Sequence, residues 1–171
     1  MQLARRYKVS VIVSLGMVLC ACHEVREPVS KIDIAEVRTA DQLLFGFYPP
    51  ENGAWRWTAQ EFAAALKPPS GAEQRGATLE LQLYIPDSQI ESIGPMTLSA
   101  TALSATNGGY VLEPEKFSKG GTYVYSRKIP REALVTSLLP VKFCFDKARA
   151  PYLGDGRELA AIVSRIELQT D

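Results

Sequence analysis

Histidine is nearly absent from the sequence, and its scarcity excludes several classes of catalytic site. His23 is the only histidine among 171 residues. Histidine is the side chain that most often acts as a general base near neutral pH, because its unperturbed pKa lies close to that value. Ser-His-Asp and Cys-His nucleophile sites need it, and so do zinc sites built on imidazole. Enzymes of these classes are therefore not expected.

Long hydrophobic runs are also scarce. The segment Val9–Leu19 is uncharged and mostly apolar, but it is shorter than the roughly 20 residues that span a bilayer as a helix. It follows three basic residues, Arg5, Arg6 and Lys8. A basic segment followed by a short apolar run is typical of a secretory signal peptide, which is removed from the mature protein.

The end of this run, Leu19-Cys20-Ala21-Cys22, resembles the lipobox of bacterial lipoproteins. The resemblance implies that residues 1–21 are a signal peptide and that Cys22 carries the lipid. His23, rather than aspartate, follows that cysteine, which implies an outer-membrane anchor facing the periplasm; the cell surface is the alternative. The lipid on Cys22 would make the membrane one partner. A secretory signal peptide without lipidation is the competing interpretation.

The third cysteine, Cys144, then has no partner for a disulfide in an oxidising compartment. Its segment Val141–Asp146 alternates apolar residues with Lys142, Cys144 and Asp146. The pattern predicts a buried or half-buried structural thiol. A reactive thiol would need a neighbouring base or a helix N-terminus to lower its pKa, and the sequence shows neither.

The charge balance argues against nucleic acid as a partner. The whole chain has 19 basic and 19 acidic residues. Removing residues 1–21 takes away Arg5, Arg6 and Lys8 and no acidic residue, so the mature protein is net acidic. Nucleic acids and anionic membrane surfaces favour clustered Lys and Arg instead.

The mature chain divides into a lipidated tether, residues 22–40, and a folded domain, residues 41–171. The tether is polar and of mixed charge, although Ile32–Val37 alternates well enough to be an edge strand. The domain has several short alternating segments separated by turn residues, a pattern that favours a β-sandwich. These predicted strands are Thr78–Ile85, Met96–Leu103, Tyr110–Leu112, Thr122–Ile129, Val141–Asp146 and Arg157–Gln169.

Two segments have helical character. Ala59–Lys67 has the propensity for two helical turns, but it lies where a sandwich needs another strand, so both states remain open. Arg131–Leu139 is predicted as a short helical connection. The expected fold is thus all-β: a single antiparallel sandwich with one or two short helical connections, preceded by a signal peptide and a tether.

The two ends of the domain resemble bacterial β-sandwich domains of the galactose-binding-like type. The resemblance is carried by Gly46–Glu51 followed by Arg56-Trp57-Thr58, and by Asp155–Ala160 before the last strand. The sequence departs from that group at Ala160, where glycine is usual. The resemblance implies a jelly-roll-like sandwich and a sugar ligand. It transfers no binding residue, because such domains hold ligands in variable loops.

The stretch around Trp55-Arg56-Trp57 allows three arrangements. Strand alternation places both Trp on one face and Arg56 on the other. If the Trp face is inner, the rings belong to the core. If it is outer, the rings form a platform and Arg56 is buried, with Glu51 or Glu158 as its expected partner. A bulge that puts Trp57 inside and Trp55 at the rim is the arrangement that the resemblance favours.

Two sets of candidate residues follow. The candidate ligand platform is Phe47, Tyr48 and Trp55. The residues expected to frame the structure are Glu51, Arg56, Trp57, Arg157 and Glu158.

Cofactors and catalytic residues are not expected. Tyr152–Glu158 could offer Asp155 and Glu158 to a structural calcium ion, but it lacks the regular alternation of acidic residues, so a turn is favoured. The composition permits hydrolysis by two carboxylates, although no pair stands out. We therefore expect a lipid-anchored envelope protein whose non-catalytic sandwich binds a partner, a glycan or an envelope protein, or scaffolds an envelope assembly. The alternative is a carbohydrate-binding module for a polysaccharide or glycolipid.

Overall fold

The computed structural model describes residues 26–103 and 108–171. The predicted signal peptide and the lipid attachment site Cys22 lie outside these ranges, and so does Asn107, the first residue of the Asn-Gly-Gly turn signal that precedes Tyr110. No helix in the described ranges has the length and apolar character needed to cross a bilayer.

The described chain is mostly antiparallel β structure, which confirms the all-β prediction. Its strands are β1 (Lys31–Asp33), β2 (Leu43–Phe47), β3 (Arg56–Leu66), β4 (Ala77–Ile85), β5 (Met96–Ala102), β6 (Tyr110–Phe117), β7 (Gly121–Ile129), β8 (Leu139–Phe145) and β9 (Ile162–Thr170). The α-helices are α1 (Ala72–Arg75) and α2 (Asp87–Ile93), and 3₁₀ helices cover Val37–Gln42 and Arg131–Leu134.

The strands form two layers that share β3. The front sheet has the order β1-β9-β4-β7, and the back sheet has the order β6-β5-β8-β3-β2. Residues 61–66 of β3 pair with β8 in the back sheet, whereas Arg56 and Trp57 pair with β9 in the front sheet. The start of β3 is therefore held at the edge of the front sheet.

The core lies between the layers. On β4, Leu79, Leu81, Leu83 and Ile85 are all buried, as the alternation predicted. The back sheet contributes Phe62, which stacks on Phe143 with a ring-centre distance of 4.9 Å. Burial of each such side chain contributes about 1.5–3 kcal/mol, so this face of β4 fixes the orientation of the whole strand.

Residues 59–66 form part of β3 and not a helix. Phe62 to Leu66 are five consecutive buried residues. A strand covered on both faces accepts such a run, whereas an amphipathic helix would expose part of it. Tertiary packing thus overrides the helical propensity of the three alanines.

The edge-strand alternative for Ile32–Val37 is confirmed only in part, because β1 covers Lys31–Asp33 and pairs with β9, whereas Val37 begins a 3₁₀ helix. Ile32 and Ile34 are completely buried, so the ordered structure begins before residue 41. The short helical connection predicted at Arg131–Leu139 is present as the 3₁₀ helix Arg131–Leu134. The sequence interpretation missed α2, which begins after Pro86 and ends at Ile93, before Gly94.

Candidate functional site

A tight turn presents Trp55 at the edge of the front sheet. Asn52 and Gly53 both have positive φ angles, 52° and 62°, the combination that a type I′ turn requires and that Asn-Gly favours. The backbone N–H of Glu51 donates to the carbonyl of Trp55 at 2.9 Å, and the N–H of Ala54 donates to Glu51. Trp55 is therefore held at a defined position by the backbone of its own turn.

An ion-pair cluster ties this turn to the loop before β9. The Arg157 guanidinium donates to Glu51 Oε1 at 2.7 Å and to both carboxylate oxygens of Asp155, at 2.9 and 2.8 Å. These hydrogen bonds lower the pKa of Asp155 and raise the pKa of Arg157 above its usual value. Arg157 also lies over the ring of Tyr48, 5.3 Å from its centre. Glu51 and Arg157, both predicted to frame the structure, therefore contact each other directly.

Strand register places Trp57 on the outer face of the front sheet. Trp57 lies opposite Ile162, and Ile162 lies opposite Tyr84. Residues directly opposite each other in an antiparallel pair have side chains on the same face. Tyr84 is 42% exposed, so this row faces solvent. The bulge that would bury Trp57 does not occur; both Trp precede the core-facing part of β3.

Arg56 consequently points to the other side, and its partners differ from those predicted. Its Nε donates to the carbonyl of Ile34 at 2.8 Å and its Nη1 to the carbonyl of Tyr48 at 3.0 Å. Partial burial lowers its pKa. The expectation of a carboxylate partner was wrong, because Glu51 binds Arg157 and Glu158 accepts from the backbone N–H of Gln60.

A cavity of about 330 Å³ lies beside Trp55. We call it the aromatic cavity. Trp55 and Tyr84 line it together with Ile162, Thr122 and Ser164. Its surface is therefore mainly apolar, and Thr122 and Ser164 contribute hydroxyl groups to it.

A second cavity of about 340 Å³ adjoins the first and is chemically different. We call it the polar cavity. Its lining residues are Asp33, Ala35, Glu36, Gly53, Ala54, Gln82, Ser164 and Arg165. Arg165 Nε donates to Asp33 Oδ1 at 2.8 Å, which raises the pKa of Arg165. This cavity offers carboxylate, guanidinium, amide and hydroxyl groups within one concave surface.

Ser164 lines both cavities because β9 is irregular at this point. Gln82 pairs with Arg165 and Leu83 pairs with Val163, so Ser164 is an extra residue between them. Such a β-bulge changes the direction of the strand and of the side chains on either side of it. The bulge brings Arg165 to the outer face while Val163 stays in the core.

The polar surface continues along β4 and β9 beyond the two cavities. Glu80 lies opposite Glu167 on the outer face. Gln169 Nε2 donates to both carboxylates, to Glu167 at 2.5 Å and to Glu80 at 3.3 Å. The amide offsets part of the repulsion that two neighbouring carboxylates would otherwise produce.

The three residues predicted as a ligand platform lie in different surroundings. Phe47 packs edge-on against Phe62 of the core, with ring centres 5.3 Å apart. Tyr48 lies under Arg157. Trp55 lines the aromatic cavity. Trp55 thus has Tyr84 as its aromatic neighbour in that cavity, a residue that the sequence interpretation left out.

Two further residues were considered from the sequence, Cys144 and Asp155. Cys144 is half-buried on the outer side of β8, and burial raises the pKa of its thiol. Asp155 was considered as a calcium ligand, but both of its carboxylate oxygens accept hydrogen bonds from Arg157. Within residues 26–103 and 108–171, no cluster of three or more His, Cys, Asp or Glu could hold a metal ion.

Sequence reasoning missed most residues of the two cavities. The alternation of β4 is readable from the sequence, and it puts Gln82 and Tyr84 on the face opposite the core. Nothing in the sequence showed that Asp33 and Arg165 pair with each other, because that contact depends on the register between β1 and β9. The Asn52-Gly53 dipeptide was a readable turn signal that would have placed Trp55.

Comparisons with known proteins add little to this geometry. The sequence matches no protein-family model, and no curated protein matches it significantly. One solved structure, described as "CBM4 structure and function", aligns with 75% of this chain and 77% of that chain at 10% identity and a TM-score of 0.35. A similarity of this size carries no argument about the fold or the ligand.

Proposed function

We propose that this protein is a non-catalytic carbohydrate-binding protein and that it binds its ligand on the outer face of the front sheet. The observation that carries the proposal is the aromatic cavity, in which Trp55 and Tyr84 lie directly beside the polar groups of Gln82, Arg165 and Asp33.

The chemistry of a sugar matches this arrangement. A pyranose has faces of C–H groups that pack on aromatic rings and a rim of hydroxyl groups that donate and accept hydrogen bonds. Ligand sites in proteins commonly combine an apolar surface with a few positioned polar groups in cavities of roughly 300–1,000 Å³. Rigid aromatic side chains lose little conformational entropy on binding. Trp55 and Tyr84 supply the apolar contact, and the adjoining polar groups supply orientation.

The same groups are poorly arranged for catalysis. Glycoside hydrolysis uses two carboxyl groups on either side of the scissile bond, one of them protonated. At the polar cavity, Asp33 accepts a hydrogen bond from Arg165 at 2.8 Å, so its carboxylate is held by a guanidinium on the same side of the site. The arrangement offers a fixed donor and acceptor for a ligand and does not place two carboxyl groups on either side of a bond.

Binding to a broad glycan panel tests the proposal. We expect the full-length protein to bind a defined group of glycans, and Trp55→Ala and Tyr84→Ala each to weaken that binding at least about tenfold. Tyr152→Ala is the matched control, because Tyr152 is an exposed aromatic residue outside both cavities. Undiminished binding by both cavity variants would contradict the proposed site.

We further propose that the protein is anchored by a lipid on Cys22 in the outer membrane, facing the periplasm. The lipobox-like Leu19-Cys20-Ala21-Cys22 supports this proposal. Labelling of expressing cells with a fatty-acid probe should mark the wild type and not Cys22→Ser. Cys20→Ser is the control and should remain labelled. Equal labelling of Cys22→Ser would contradict the proposal.

Binding of an envelope protein is the competing function. Leu44 and Phe45 support it, because both are about half exposed on the edge strand β2. If this function is correct, Phe45→Ser should abolish capture of an envelope protein while the cavity variants leave it intact.

A further inference from the structure

We propose that the aromatic and polar cavities form one groove for consecutive sugar units, and that the unit in the polar cavity is uncharged. This inference rests on the proposed function, and it adds to it the length and the charge class of the ligand.

The geometry supports a ligand longer than one sugar. The two cavities share Ser164 and have volumes of about 330 and 340 Å³. They also share a wall, since Gly53 and Ala54 line the polar cavity while the next residue, Trp55, lines the aromatic one. Along β4, Tyr84 and Gln82 are two residues apart on the same face, which corresponds to about 6.6 Å along a strand. A chain that packs on Trp55 and Tyr84 therefore continues over Gln82.

The polar cavity can pair with neighbouring hydroxyl groups. Arg165 uses Nε for Asp33 Oδ1, and the remaining N–H groups of its guanidinium are donors. Asp33 is an acceptor beside them, and the Gln82 amide both donates and accepts. Two adjacent hydroxyl groups of a sugar can thus meet a donor and an acceptor that the ion pair holds in a fixed geometry.

The charges that line the polar cavity disfavour an acidic sugar. Asp33 and Glu36 contribute two carboxylates, and each already pairs with a guanidinium, Asp33 with Arg165 and Glu36 with Arg38. Glu167 lies two residues beyond Arg165 on the same face, directly opposite Lys31 of β1. Charges within a Debye length, about 8 Å at physiological salt, still interact. A uronic acid in this position would therefore compete with these carboxylates for cations that they already pair.

Ligand length provides the first test. We compare the affinities of neutral saccharides of one to four units, built from the best-binding sugar. The affinity should rise at least about tenfold from the monosaccharide to the disaccharide. Ala54→Trp fills the polar cavity at an exposed turn position. It should remove that gain and leave monosaccharide binding unchanged. A gain that persists in Ala54→Trp, or no gain in the wild type, would overturn the two-unit groove.

Ligand charge provides the second test. A neutral oligosaccharide and its uronic acid counterpart should differ at least about tenfold in affinity for the wild type. The double variant Asp33→Asn with Glu36→Gln should reduce that difference. Glu132→Gln removes the same type of charge outside both cavities and should not. Equal binding of both sugars to the wild type would overturn the charge inference.

Failure of the proposed function gives a different result from failure of this inference. If the folded protein binds no sugar of any length, carbohydrate binding itself is wrong. If it binds a monosaccharide through Trp55 and Tyr84 but shows neither length nor charge dependence, carbohydrate binding stands and the two-unit groove is wrong.

Discussion

Arg157 donates a hydrogen bond of 2.7 Å to Glu51, a residue 106 positions earlier in the chain. This contact joins the loop before β9 to the turn that carries Trp55. Because Asp155 holds the same guanidinium, the turn is fixed from outside as well as by its own backbone. The position of Trp55, and therefore the shape of the aromatic cavity, depends on this ion pair.

Glu51→Gln tests what the Glu51–Arg157 ion pair contributes to stability and to sugar affinity. Arg157 and Glu51 are 31% and 37% exposed, so solvent screening limits the pair to about 1 kcal/mol of unfolding free energy. We expect a loss of this size in urea unfolding, with a weaker affinity for sugar because the turn is less ordered. Unchanged affinity together with lower stability would show that this ion pair stabilises the fold but does not contribute to the ligand site.

Asp155→Asn should change the response to acid. Hydrogen bonds from Arg157 hold the pKa of Asp155 below its usual value in the folded protein, so the ionised carboxylate stabilises the fold above about pH 4. That stabilisation is lost as the pH falls through the folded pKa. The melting temperature of the wild type should therefore fall further between pH 6 and pH 2.5 than the melting temperature of the variant. Parallel acid curves would contradict this assignment.

Arg56→Met should destabilise the protein without affecting an ion pair. The substitution keeps much of the side-chain volume but leaves the carbonyls of Ile34 and Tyr48 without their donor. Loss of hydrogen-bond partners in a partly buried site costs about 1–3 kcal/mol. Arg149→Met is the control, since Arg149 lies over the exposed Tyr152 ring. Equal unfolding free energies for the two variants would contradict a special role for Arg56.

Phe47→Ala should reduce stability and leave sugar affinity unchanged. Its ring packs against Phe62, and truncation of a core phenylalanine costs about 3–5 kcal/mol, less where the ring is half-buried. Urea unfolding and a sugar titration on the same sample measure both effects. A loss of affinity in folded Phe47→Ala would restore Phe47 to the ligand platform.

The sequence predicted the strands whose patterns were strictly local. Leu79, Leu81, Leu83 and Ile85 alternate without interruption, so period-two reasoning identified β4 and its buried face. Residues 59–66 were ambiguous because alanine has high helical propensity, and only the pairing of β3 with β8 decides their state.

The candidate site was less predictable because its parts are distant in sequence. Trp55 was a candidate because it lies in a short stretch that also contains Phe47, Tyr48 and Trp57. Asp33, Tyr84 and Arg165 come from three strands, and their proximity depends on the register of β9 and on the bulge at Ser164. One inserted residue reverses the facing of every later side chain in a strand, and no local pattern reveals it.

Intrinsic tryptophan emission during a sugar titration tests the central claim most directly. The chain has two tryptophans, Trp55 and Trp57, and both lie at the front-sheet edge that the proposal assigns to the ligand. We expect a saturable change in emission with the best-binding sugar, and its loss in Trp55→Phe. Saturable binding by calorimetry with no change in emission would show that the sugar binds elsewhere, and would contradict the account.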